Sequence, residues 1–167
     1  MTVPQSHPFL LSCPQEEYDA LAPEFRRELE AAFQAYGRKC PGEPPWRITS
    51  GRRTLRQQAE EMASMTPEQL RGLYGQKGIP SYVEELIRAM PLTPETAYQI
   101  LAHRSEGYIS KHLFGAAADV APDSVRKPEI FRQLLQEQGL LLLDERSRGI
   151  PCFHISCPQI ERQIIRE

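Results

Sequence analysis

Apolar residues recur at three- and four-residue spacings along residues 14 to 36, where Tyr18, Leu21, Phe25, Leu29, Ala32, Phe33 and Tyr36 line up around an interruption at Pro23. That period gathers them on one stripe, so the pattern predicts a short turn followed by an amphipathic helix ending at Gly37, with the aromatics packed in a core. Cys40-Pro-Gly-Glu-Pro-Pro reads as a loop. Trp46-Arg-Ile-Thr49 predicts a short strand that delivers Ser50, Gly51 and Arg53 at its end.

Helix starts dominate the middle of the chain. Thr54-Leu-Arg-Gln57 reads as a capping box, in which side chain and backbone satisfy each other's free amide hydrogens. Thr66-Pro-Glu-Gln69 repeats it with proline at the first helical position, Ser81-Tyr-Val-Glu84 gives a third box, and Thr93-Pro-Glu95 marks a fourth start. A run of short helices follows, the last closed by Gly107.

Period two takes over near residue 116. If residues 116 to 120 are extended, Ala116, Ala118 and Val120 face the core and Ala117 and Asp119 the other side. Pro128 to Gln138 is helical again, with Ile130, Phe131, Leu134 and Leu135 on one face and Gly139 as a left-handed stop. Leu140 to Asp144 is a short apolar run, Arg146 to Gly149 a turn, and Ile150 to Ser156 a strand, together a hairpin. In that strand Phe153 and Ile155 point inward, leaving Cys152, His154 and Ser156 opposite. The pattern predicts an α+β fold in a single domain spanning residues 1 to 167, helices first and then a small, mostly antiparallel sheet. It contains no repeat, low-complexity tract or linker.

Composition narrows the class. A chain of 167 residues, 40% hydrophobic and 25% charged, has the balance of a globular protein with one core. A net charge of -2 and a pI near 6.1 give no reason to expect nucleic acid or an anionic membrane as a partner. Four cysteines, Cys13, Cys40, Cys152 and Cys157, are too few to scaffold a chain this long. The first residues lack a basic stretch and a long apolar one, and no apolar run reaches membrane-spanning length, so a cytoplasmic protein with reduced cysteines is expected. A cell-wall substrate would then require delivery by an unencoded route.

The candidate chemistry lies in Ser110-Lys-His-Leu-Phe-Gly-Ala-Ala-Ala-Asp119 and in Cys152-Phe-His154-Ile-Ser156. An imidazole at His112 and a carboxylate at Asp119 stand seven residues apart around Gly115, and zinc accepts both ligand types. A catalytic zinc takes three protein ligands, and strand alternation puts His154 on the face that would supply the third. Manganese and iron also accept two histidines and a carboxylate.

Ser-x-His-x-x-Gly-x-Ala-x-Asp, read from Ser110 to Asp119 and followed by a strand carrying a last histidine, resembles the zinc D-Ala-D-Ala peptidases of the hedgehog/DD-peptidase fold. Ser50-Gly51-Arg52-Arg53-Thr54, with Gln58 five residues beyond Arg53, is similar to that family's Ser-Gly-Tyr-Arg segment, Arg52 replacing the aromatic residue. The resemblance implies zinc on His112, Asp119 and His154. It also implies a catalytic Arg53 facing a substrate carboxylate or developing oxyanion, and a substrate-side role for Ser110. The implied activity is hydrolysis of peptidoglycan stem peptides or crosslinks, as carboxypeptidase or endopeptidase; a monomer is expected.

One departure bears on the chemistry. The family places a proton-transferring glutamate three residues before the last histidine, or a histidine two before it; here those positions hold Pro151 and Cys152. Such a group contributes about 10²–10⁴-fold, so its place must be filled from elsewhere, with Asp144 or Glu145 across the hairpin as candidates. Cys152 either closes the zinc shell as a fourth ligand or merely lines the pocket. The alternative function is a non-catalytic metal-binding module of the same fold that recognises wall fragments or a protein partner.

Overall fold

The computed structural model describes residues 8–75, 78, 80–104, 109–163 and 165. Its elements are β1 (Leu10–Leu11), α1 (Gln15–Asp19), α2 (Pro23–Lys39), β2 (Arg47–Ser50), α3 (Leu55–Ala63), α4 (Pro67–Tyr74), α5 (Ser81–Arg88), α6 (Pro94–Ala102), β3 (Ala117–Val120), α7 (Pro128–Glu137), β4 (Leu141–Asp144) and β5 (Phe153–Ser156). Short 3-10 turns cover Lys111–Phe114, Pro122–Ser124 and Glu145–Arg148. The fold is α+β, and its sheet is mostly antiparallel. Two compact units form: Met1–Arg52 with Gly115–Glu161, and Arg53–Phe114 with Arg162–Glu167.

The first unit holds the whole five-stranded sheet, in the order β1-β2-β3-β5-β4. Ile48, Ala118, Val120, Phe153 and Ile155 all join one buried cluster with Phe25, Leu29 and Ala32 of α2 and Phe131, Leu134 and Leu135 of α7. Trp46 anchors it, with the ring of Phe131 edge-on at 4.7 Å and that of Phe33 at 5.0 Å. Alternation thus sends Ala118, Val120, Phe153 and Ile155 inward as expected, while Ala116, though buried, precedes β3 and is not part of this cluster.

Two boundaries differ from the sequence reading. Pro23 opens α2 at its first turn, where its missing N–H costs nothing, and the helix runs through Gly37 to Lys39. A side chain at Gly37 would meet nothing within 4 Å, so no packing demands a break there, and the Cys40 N–H still bonds Tyr36 O at 2.8 Å. The sheet also begins earlier than expected. Phe9 packs on Trp46 while the Leu10 N–H bonds Trp46 O at 3.0 Å, adding β1 parallel to β2.

The described helices of the second unit, α3 to α6, are short and start largely as their sequences dictate. Thr54 and Thr66 each close a full capping box, and Thr93 accepts the Thr96 N–H at 3.1 Å. Ser81 does not cap. Pro80, held at φ -63° and ψ 150°, takes the cap position, and Ser81 becomes the first helical residue with no side-chain cap bond. The expected close at Gly107 lies outside the described residues. Leu55, Met62, Leu70, Val83, Leu86 and Leu101 form this unit's core.

Candidate metal centre

Asp119 on β3 and His154 on β5 are direct partners across an antiparallel pair, so both side chains leave the same face of the sheet. His154 Nδ1 lies 3.1 Å from Asp119 Oδ1. Two ligand atoms on a tetrahedral ion at zinc's usual bond lengths are about 3.3–3.4 Å apart, so the pair is already spaced as one edge of such a shell. A register shift between Ile48 and Ser50 on β2 brings Ser50, itself buried, opposite Asp119.

The hairpin carries two adjacent carboxylates with opposite fates. Asp144 accepts from Arg146 Nε at 2.9 Å and Nη2 at 2.7 Å, and this guanidinium holds its carboxyl below the usual range. Glu145 turns inward and is 8% exposed, with Oε1 3.6 Å from His154 Nδ1. The 3-10 turn places it there: the Glu145 N–H bonds Cys152 O at 3.1 Å, Glu145 O accepts from the Ile150 N–H at 3.2 Å, and Gly149 closes the turn at φ 78°. The Cys152 thiol donates to Glu145 Oε1 at 3.4 Å. A signal for Glu145 exists in the sequence. Leu141 and Leu143 oppose Ser156 and His154, so residue 145 has the parity of the site face.

His112 belongs to the second unit and is 2% exposed, on the turn Lys111–Phe114. Ser110 shapes that turn: its Oγ accepts the His112 N–H at 3.2 Å and its C=O the Leu113 N–H at 3.2 Å. The Arg53 N–H bonds His112 O at 3.1 Å, joining the two motif segments through their backbones. Arg53 Nη1 donates to Gln58 Oε1 at 3.3 Å, and buried Gln58 is fixed in turn by its bond to the Tyr74 hydroxyl at 2.8 Å. His112, Asp119 and His154 are candidate metal-ligand groups.

The motif glycines have steric causes within the first unit. A Cβ on Gly51 would stand 2.3 Å from Glu17 O, and Gly115, at φ +76°, would place one 2.9 Å from Ala20 O. Gly51 presses on α1, where the Arg52 N–H bonds Glu17 O at 2.9 Å, and Gly115 on the turn between α1 and α2, where the Ala22 N–H bonds Gly115 O at 3.0 Å. Among the described residues no helix is long and apolar enough to cross a membrane. Compared with family models, curated proteins and solved structures, the chain matches none.

Proposed function

We propose that the protein is a zinc-dependent peptidase of the D-Ala-D-Ala metallopeptidase kind, cleaving peptidoglycan stem peptides or crosslinks. The observation that carries this is the Asp119–His154 pair, two ligand-type side chains spaced at 3.1 Å on one sheet face with the carboxylate of Glu145 beside them. Imidazole and carboxylate suit zinc, and His112, seven residues before Asp119 in the same motif, supplies the third ligand. When bound, zinc polarises the scissile carbonyl and acidifies its water.

The chain's own residues do the rest. Glu145 fills the role vacated at Pro151 and Cys152: it takes the water's proton at a carboxylate oxygen and passes it to the leaving amine. Asp144 is unsuited to this, being engaged by Arg146. Arg53 binds a substrate carboxylate or the developing oxyanion, its guanidinium oriented by Gln58. Ser110 holds the turn bearing His112, and the motif resemblance gives it a role toward the substrate.

The test is incubation of zinc-loaded protein with purified muropeptides. Release of an amino acid or opening of crosslinks supports the reading, and intact muropeptides reject it. Retention of wall fragments without cleavage would instead support a binding module, the reading favoured by Pro151 and Cys152 at the usual acid/base positions.

A further inference from the structure

We propose that the first unit carries a second zinc site, made by Asp119, Glu145 and Cys152, whose occupancy withdraws Glu145 from proton transfer. One ligand atom from each of the three lies within 4.8 Å of the others. All three side chains are interior, at 6%, 8% and 7% exposure in that order. Cys152 Sγ and Glu145 Oε1 are 3.4 Å apart, against about 3.5 Å for a sulfur and an oxygen sharing one tetrahedral zinc. Their spacing is built in, because the Glu145 N–H bonds Cys152 O at 3.1 Å and so locks both residues to one rung of the hairpin.

Two carboxylates held side by side in the interior repel one another, and a dication between them removes that cost. Asp119 belongs to both ligand sets, and a carboxylate's two oxygens bridge paired ions about 3.5–4 Å apart. The thiol restricts the ion to the borderline-soft class, zinc or cobalt, and disfavours magnesium and calcium. On binding, the S–H bond breaks, a metal–sulfur bond forms and the proton leaves to solvent. The regulatory consequence rests on the reading that Asp119 and His154 hold the first ion and that Glu145 moves the proton: zinc beyond one equivalent then inhibits.

Equilibrium dialysis against zinc, with a parallel cobalt(II) titration followed in the near ultraviolet, tests the site. The wild-type chain should bind two zinc ions, Cys152→Ser and Glu145→Gln one each, and Cys157→Ser two. A thiolate-to-cobalt charge-transfer band should grow only with the second equivalent and be missing in Cys152→Ser. Two ions in Cys152→Ser, or a second equivalent without that band, would overturn the proposal. A single ion in the wild type, lost in His154→Ala, overturns the second site and leaves the first standing. No zinc at all sinks both.

Discussion

The two faces of the central sheet are built from the same strands and serve opposite ends. On one, Ile48, Ala118, Val120, Phe153 and Ile155 are at most 1% exposed and interdigitate with α2 and α7. On the other stand Ser50, Asp119 and His154, joined by Glu145. His154 has a core residue on each side of it in sequence. Period two therefore separates stability from chemistry residue by residue, and adjacent substitutions should be read by different instruments.

The sharpest break would come on the polar face. Asp119→Ala should lose all bound zinc, and His154→Ala and His112→Ala the tightly held equivalent, with the thermal midpoint of the metal-free protein little changed; retention of that equivalent in any two of the three defeats the ligand assignment. One residue away, Phe153→Ala should cost about 3–5 kcal/mol in denaturant unfolding, because a fully buried ring leaves a cavity under the sheet. A loss below about 1 kcal/mol there would mean the inner face is not the one holding the unit together. Arg53→Ala should keep its zinc and lower kcat/KM by about 10–100-fold, and loss of metal in this variant would show that its role has been misassigned. Thr54→Ala should cost about 1 kcal/mol through the capping box and leave zinc binding untouched.

The smallest effect concerns pH. Burial, followed by the bond to Glu28, pushes the Cys157 thiol up to about 11 from an ordinary value near 9. Its folded-state pKa is raised, so its contribution is fully present below pH 9 and is lost as pH rises from 9 to 11. Urea unfolding across that window should show falling stability, and Cys157→Ala should flatten the slope.

What was legible in the sequence was what short-range physics decides. Capping boxes at Thr54 and Thr66, the left-handed stop at Gly139 and the alternation around Asp119 and His154 all involve residues within a few positions of one another. What escaped depended on distant partners. β1 is two residues long and is defined by pairing Leu10 with Arg47 and Leu11 with Ile48, too short for any periodicity. Ser81 has the right neighbours for a box yet loses to the fixed geometry of Pro80. The inward turn of Glu145 is made by backbone bonds to Ile150 and Cys152, whereas in sequence only the parity of the hairpin separates it from Asp144.

The bond from the Arg53 N–H to His112 O has a consequence for how this chain tolerates change. β2 and β3 are antiparallel neighbours, as in a simple hairpin, yet everything from Arg53 to Phe114 is spliced between them. That excursion enters and leaves through segments already tied to one another at 3.1 Å, with Gly51 seated on α1 and Gly115 on the α1–α2 turn. Closing a longer loop costs only roughly 0.6 kcal/mol per doubling of its length. Lengthening the insert between its tied ends therefore adds little closure entropy, whereas its buried core of Leu55, Met62, Leu70, Val83, Leu86 and Leu101 and the roles proposed for Arg53 and His112 set what it must keep.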